Sequence, residues 1–247
     1  MKKNISKSLL FALSVATLAA CDTLQDLASQ TVAGSSTGTP GLSNGEVISG
    51  LKEALTVGIT NSVNVASITD GFLKNSNIRL PFPEDAIKVK EKAMEWGLSG
   101  QVEKFETTLN RAAEDATKAA LPIFKQAIIN MTIQDGFTIL NGGEGAATRF
   151  LKNATTQQLV NAFSPRVQES ISKVKLTEYW SPIIDKYNVA MSLTGGQKLN
   201  PDLNAYVTER AIAGLFKLVE VEENKIRKDP AARVTEILRK VFGSIKP

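Results

Sequence analysis

Two residue types that carry much of enzyme chemistry are scarce in this chain, which has no histidine and only one cysteine. The lack of histidine excludes imidazole-based catalytic triads, ordinary zinc sites and the Glu-x-x-His pattern of di-iron proteins. A single cysteine excludes an intrachain disulfide and a cluster of thiolates around a metal. We therefore expect no metal or other cofactor, and a core that is stable without disulfides.

The first 21 residues have the pattern of an export signal. Three lysines precede an apolar run over residues 9–18, and small residues follow before Cys21. The run is far shorter than the roughly 20 residues that a bilayer-spanning helix needs, which argues against a transmembrane segment. Leu-Ala-Ala-Cys at 18–21 resembles the lipobox of bacterial lipoprotein signals. The resemblance implies cleavage between Ala20 and Cys21, acylation of Cys21 and attachment of the protein to a membrane.

The chain without its signal is close to electrically neutral. Three of the 29 basic residues lie in 1–20, so 26 remain against 25 acidic residues and the net charge falls from +4 to about +1. A near-neutral chain gives no electrostatic reason to bind nucleic acid. The aromatic residues recur at helical spacings, which is more typical of a core than of a platform for stacking bases. We predict no nucleic-acid partner.

The sequence divides into three segments. Residues 1–20 are the predicted signal peptide, which is cleaved. Residues 21–43 are the predicted lipidated Cys21 and a flexible linker, because this stretch has no basic residue and becomes rich in Gly, Ser and Thr. Residues 44–247 are the predicted folded part. Apolar residues there recur with helical spacing and no βαβ or hairpin signal is present, so we expect one all-α globular domain of about eight or nine helices.

Caps and prolines set the expected boundaries of these helices. Ser43 and Glu46 have the form of a capping box, and Pro122 should kink or split a long helical run. Asn200-Pro201 has the form of a cap followed by a first-turn proline. The expected helices begin after Ser43 and cover about 84–96, 101–131, 132–141, 144–153, 156–175, 177–190, 203–228 and a last stretch that ends at Gly243; residues 69–83 are expected to form an extended arm.

A glycine-rich stretch at 142–145 could be mistaken for a phosphate-binding loop. It follows a predicted helix, has no preceding strand and lacks the Lys-Ser/Thr pair of a P-loop. We interpret it as a helix C-terminus and turn.

Asn110, Arg111 and Glu114 form the first group of candidate site residues. At 100° per residue they lie away from the apolar stripe of their helix. Arg111 with Asp115, and Glu114 with Lys118, would then make i,i+4 ion pairs on a solvated face. The alternative is that the three side chains belong to a groove or a polar network.

Glu222 is the second candidate, because it falls on the apolar arc of the 203–228 helix. A carboxylate there must be paired, hydrogen-bonded or protonated. The first interpretation is a structural ion pair with an arginine from another helix, either Arg111 or Arg149. The alternatives are an acid that contacts a ligand or acts in catalysis, and an exposed position under a loop.

Several segments taken together resemble the bacterial domain-of-unknown-function family 4197. They include L-K-E-A-L at 51–55, I-T-D-G-F-L at 68–73, L-N-R-A-A-E at 109–114, P-I-F-K-Q-A-I at 122–128 and E-E-N-K-I-R at 222–227. The resemblance covers roughly Glu46 to Gly243. It implies a helical envelope protein that is often lipidated, and it implies no established activity, cofactor or catalytic residue.

Two functions are consistent with these observations. The first is a non-enzymatic, lipid-anchored helical module that faces the periplasm and binds an envelope protein or a small ligand. The second is a hydrolase of envelope material that uses Glu222 and Glu114 as paired carboxylates. Asp22, directly after Cys21, resembles the inner-membrane retention signal of enterobacterial lipoproteins, and it favours the inner membrane slightly.

Overall fold

Helices make up almost all of the regular structure in this protein. A computed structural model describes residues 43–173, 176–199, 202–229, 232–233 and 235–243. Within these ranges there is no strand, and the chain forms one compact helical domain, so the predicted all-α fold is confirmed. The described elements are α1 (Asn44–Ser67), a 3-10 helix (Glu84–Ala86), α2 (Ile87–Glu95), α3 (Ser99–Thr117), α4 (Ala120–Ile129), α5 (Ile133–Asn141), α6 (Ala146–Lys173), α7 (Leu176–Thr194), α8 (Leu203–Lys228) and α9 (Glu236–Gly243).

The first helix begins as its capping signal predicts. Ser43 is the N-cap of α1, its side chain accepts from the backbone N–H of Glu46, and the Glu46 carboxylate accepts from the backbone N–H of Ser43. This reciprocal pair satisfies two N–H groups that a helix start otherwise leaves free. The predicted signal peptide (1–20) and all but the last residue of the predicted linker segment (21–43), with Ala20, Cys21 and Asp22, lie outside the described residues and stay predictions.

Helix α3 is the centre of the domain. It packs against α1, α2, α6, α7 and α8, and nine of its 19 residues are therefore buried. Three aromatic rings fill one end of this core: the Phe105 ring centroid lies 4.8 Å from that of Phe82 and 4.8 Å from that of Trp180. Such contacts add about 0.5–1.5 kcal/mol per pair to the burial of the rings. For Phe82, Phe105 and Trp180, all buried, the assignment of aromatic residues to the core is confirmed.

Two of the expected helix boundaries differ from the structure. The long run at 101–131 divides into α3 and α4 just before Pro122, as expected. The stretches 144–153 and 156–175 were predicted as two helices, but they form the single helix α6, because nothing between them interrupts the backbone hydrogen bonds. The N-cap of α8 is Asp202, not the predicted Asn200-Pro201 pair, and its side chain accepts from the N–H of Ala205.

The segment between α1 and the 3-10 helix, residues 68–83, crosses the surface of α3 and is called the arm below. It contains no helix or strand, as its prolines predict. Ile78, Leu80 and Phe82 alternate along it and are all buried. The arm therefore closes one side of α3 that would otherwise face solvent.

Candidate functional site

Two carboxylates are buried among the described residues, and each lies in its own hydrogen-bonded cluster. Glu114 of α3 faces the arm. Glu223 of α8 faces the start of α6. A buried charge is costly unless it is paired and hydrogen-bonded, so the partners of these two groups show what each cluster does.

Asn110 joins α3 to the middle of the arm. Its Oδ1 accepts from the backbone N–H of Leu80 at 2.8 Å, and its Nδ2 donates to the Leu80 carbonyl at 3.0 Å. Nδ2 also donates to the carbonyl of Glu106 at 2.8 Å. Asn110 is fully buried. Its amide hydrogen-bonds both backbone groups of Leu80, as the backbone of a neighbouring β-strand would.

Glu114 joins α3 to the beginning of the arm. Its Oε1 accepts from the backbone N–H groups of Phe72 at 3.1 Å and Leu73 at 3.3 Å. Its Oε2 accepts from Nη1 of Arg111 at 2.7 Å, and Nη2 of Arg111 donates to Asp70 at 2.6 Å. The hydrogen bond with Glu114 is the main reason that the pKa of Arg111 is raised. We call Asn110, Arg111 and Glu114 the α3 clamp.

Asp70 and Gly71 make the sharp turn by which the arm leaves α1. Asp70 has a φ of 69°, a left-handed conformation that aspartate adopts more readily than most residues. A Cβ on Gly71 would lie 2.3 Å from the carbonyl oxygen of Val65, so only glycine fits. Hydrogen bonds from Lys74 and then Arg111 hold the pKa of the Asp70 carboxyl below its ordinary value of 3.8.

The solvated face predicted for Asn110, Arg111 and Glu114 is therefore wrong, and the alternative of a polar network is the observed one. The helical pattern identifies the main apolar stripe but not the arm, which covers the opposite side. Neither predicted i,i+4 pair forms: Arg111 pairs with Glu114 and Asp70, and the Asp115 carboxylate binds Lys118 at 2.8 Å.

The second cluster closes the N-terminus of α6. Glu223 accepts from the backbone N–H groups of Ala147 and Thr148, both at 2.9 Å, and from the Thr148 hydroxyl at 2.8 Å. Nε of Arg227 donates to the same carboxylate at 3.0 Å. The first N–H groups of a helix have no partner within the helix and favour an anion. The anion at this helix start is a side chain of the protein itself.

Glu222 is not in that cluster, and the predicted ion pair with Arg111 or Arg149 is wrong. It is half-buried in the seam between α1 and α8, and its Oε2 accepts from Nδ2 of Asn61 at 3.1 Å. Glu223, one residue later and 100° further round the helix, is the buried acid. Both positions lie on the wide buried side of α8, and the sequence pattern does not reveal which one faces free N–H groups.

Arg149 lies in the first turn of α6, and its side chain reaches back to the turn before that helix. Its Nη1 donates to the carbonyl of Glu144 at 3.0 Å and its Nη2 to the carbonyl of Gly142 at 3.2 Å. Gly142 is the C-cap of α5, so the predicted helix C-terminus and turn at 142–145 is confirmed. The structure therefore brings Asn110, Arg111 and Glu114 together and places Glu222 and Arg149 elsewhere.

A narrow apolar crevice lies beside the second cluster. The space inside it that a water molecule can occupy is about 20 Å³, room for about one water. Its walls come mainly from α1 and α8, and we call it the α1–α8 crevice. It is lined by Leu51, Ala54, Leu55, Gly58, Ile59, Ala147, Val219, Glu223, Ile226 and Arg227.

The sequence analysis missed three residues of these clusters, namely Glu223, Arg227 and Asp70. Glu223 and Arg227 have the i,i+4 spacing of a helical ion pair, which could have drawn attention to them. Asp70 stands directly before a glycine, and Asp-Gly is a turn signal.

Among the described residues, no three His, Cys, Asp or Glu side chains are grouped so that they could hold a metal ion. None of the helices in the same ranges is long and apolar enough to cross a bilayer.

Most of the chain matches a known protein family. A family model described as "Protein of unknown function (DUF4197)" matches residues 41–243. Searches of curated proteins and of solved structures found no match.

Proposed function

We propose that this chain, which belongs to the DUF4197 family, is a lipid-anchored helical module of the bacterial cell envelope that acts by binding. In this proposal Cys21 carries the lipid, residues 22–43 form a tether, and the helical domain faces the periplasm. The ligand is a small molecule or an envelope protein. The tether, with a reach on the order of 25 Å, would let the domain meet partners at the membrane without fixing its orientation.

The observation that favours binding over hydrolysis is the use of the candidate acids in the fold. A glycosidase-type mechanism needs one acid to donate a proton and a second carboxylate within about 5–10 Å of it. Glu114 already accepts three hydrogen bonds from the arm and Arg111. Glu222 lies in a different helix seam and binds Asn61. These two residues therefore do not form the paired site that the hydrolase hypothesis needs.

The anchor is tested by replacing Cys21 with serine in the full chain. We expect the wild-type protein to incorporate labelled palmitate and to sediment with membranes, and the variant to do neither. Ser35→Ala, in the proposed tether, is the control and should behave as wild type. A Cys21→Ser protein that is still processed and still sediments with membranes would contradict the anchor.

Binding is tested by native mass spectrometry of the protein purified from its own cells. We expect a co-purifying small molecule or partner protein at a defined stoichiometry. The competing hypothesis predicts that the purified protein hydrolyses envelope material and that Glu222→Gln abolishes the reaction. Such turnover, without any co-purifying species, would refute the binding function.

A further inference from the structure

We infer that a groove between α2 and α7 binds a short acidic segment of an envelope protein, an inference that rests on the proposed binding function and names its ligand. The groove, called the α2–α7 groove below, lies between one face of α2, the C-terminal half of α7 and the loop after α7. It offers about 820 Å³ to water-sized molecules, within the range of about 300–1,000 Å³ that is typical of ligand pockets. The α1–α8 crevice, by contrast, has room for about one water.

The loop wall of the groove is held in place by the fold. Gly195 follows α7 in a left-handed conformation, with a φ of 72°, and the N–H of Gly196 donates to the carbonyl of Met191 at 2.9 Å. The chain then returns along α7. There the Asn188 amide donates to the carbonyl of Leu199 at 3.0 Å and accepts from its N–H at 2.9 Å. A wall that is fixed before binding avoids the entropy cost of ordering a loop around the ligand.

Tyr187 of α7 brings a free hydroxyl to the groove. Its side chain is buried, with only 8% of the residue exposed. In the described part of the chain, every polar side-chain atom that is cut off from solvent has a hydrogen-bond partner. The Tyr187 hydroxyl has none among these residues, so it is the part of the side chain that opens into the groove. A buried tyrosine usually directs its hydroxyl to a partner, and a ligand in the groove would supply one.

The free charges of the groove are mostly positive. Two of its five charged side chains, Glu84 and Lys92, form ion pairs at 2.7 Å with residues that do not line it. The other three are Lys88 and Glu91 of α2 and Lys198 of the loop, and they have no ion-pair partner among the described residues. Two ammonium groups from different walls therefore face one carboxylate.

These free groups fit a peptide better than a simple anion. An ammonium group only donates hydrogen bonds, and a carboxylate only accepts them. The ligand must therefore present anionic acceptors to Lys88 and Lys198 and a donor to Glu91. An acidic peptide has both, because its side chains carry carboxylates and its backbone carries N–H groups. A phosphate group is a strong acceptor, but Glu91 would repel it.

The length of the groove sets the length of the segment. The α2 wall extends from Glu84 to Lys92, a distance of about 12 Å at the helical rise of 1.5 Å per residue. An extended chain advances about 3.3–3.6 Å per residue. The groove therefore takes three or four residues of the partner.

The experiment titrates tetraglutamate into the full-length protein by calorimetry near neutral pH. The peptide is acetylated and amidated, so that it has no charged termini and imitates an internal segment. Tetraglutamine with the same blocked ends is the matched neutral probe, and inorganic phosphate tests an anion alone. We expect saturable binding of tetraglutamate that weakens at least about fivefold from about 50 to about 500 mM salt, because salt screens exposed charges. Tetraglutamine and phosphate should bind at least about tenfold more weakly.

Single substitutions connect the binding to the groove. Tyr187→Phe removes only a hydroxyl that has no partner in the described part of the chain, so the fold should be kept and the Kd of tetraglutamate should rise about three- to tenfold. Tyr179→Phe is the matched control, because this tyrosine lies in the same helix but does not line the groove. Lys88→Gln and Lys198→Gln should each raise the Kd about two- to fivefold, whereas Lys152→Gln, at an exposed position of α6, should not change it.

Each outcome supports or overturns the inference. No saturable binding of tetraglutamate, equally tight binding of tetraglutamine or phosphate, or affinity that does not change with salt would overturn it. An unchanged Kd in Tyr187→Phe and in both groove lysine variants would do the same. A co-purifying species of another chemistry, found by native mass spectrometry, would leave the binding function standing and remove only this choice of ligand.

Discussion

Replacing Asn110 with alanine tests whether buried hydrogen bonds hold the arm on α3. The Asn110 amide is the partner of both the N–H and the carbonyl of Leu80, and all of these groups are buried. Alanine would leave the two backbone groups without that partner. Each buried polar group left unsatisfied costs about 1–3 kcal/mol, so for the two groups we expect the free energy of unfolding to fall by about 2–6 kcal/mol.

Urea unfolding of the full chain measures this loss. The slope should be about 2.5 kcal/mol per molar urea, in the upper part of the usual range because the slope grows with protein size, so the midpoint should fall by about 1–2.5 M. Asn161→Ala, on the exposed side of α6, is the matched control because it makes the same change of helix propensity at a solvated position. Hydrogen exchange should show that the Leu80 amide loses its protection. A loss of stability below about 0.5 kcal/mol, the range of ordinary surface substitutions, or an unchanged Leu80 amide would refute the role of the clamp.

Three further predictions concern the other cluster, the turn of the arm and its ion pairs. Glu223→Gln breaks a buried ion pair that also binds the start of α6, so the free energy of unfolding measured in urea should fall by about 3–5 kcal/mol. Glu222→Gln, at the half-buried neighbour, should change it by less than about 0.5 kcal/mol. Equal losses in the two variants would contradict the assignment of Glu223 as the buried acid of this cluster. Gly71→Ala places a Cβ 2.3 Å from a backbone oxygen and should lower the melting temperature markedly, whereas Gly100→Ala should not lower it. The pKa of Asp70 is lowered in the fold, so its contribution to stability is present above the ordinary carboxyl value of 3.8 and is lost as the pH falls through the lower folded value. When the pH is lowered below 3.8, the free energy of unfolding of Asp70→Asn should therefore fall less than that of the wild type. An equal fall in the two proteins would argue against the ion pair.

Local signals in the sequence predict most of the fold. The capping box at Ser43, the split before Pro122 and the extended arm follow from rules that act within a few residues. The boundary between α3 and α4 could be predicted because proline removes a backbone donor and clashes with the preceding turn. The single helix α6 was harder to predict, since its apolar spacing is too irregular to show that one helix continues through 146–173.

The polar clusters could be predicted only in part, because their partners are distant in the sequence. Asn110 binds Leu80, 30 residues away, and Glu223 binds Ala147, 76 residues away. A helical wheel assigns each residue of a helix to a buried or exposed side for one packing partner. It does not include an arm that covers a second side of the helix, and it does not distinguish Glu222 from Glu223 when the buried side is wide.

The two buried carboxylates, Glu114 and Glu223, have the same role at different places in the chain: both bind backbone N–H groups that would otherwise be buried without a partner. Each accepts from two consecutive backbone N–H groups at the start of a segment, and each is neutralised by an arginine on its own helix, Arg111 for Glu114 and Arg227 for Glu223. Such N–H groups must find partners when they are buried. The acids are therefore committed to fastening segments of the fold.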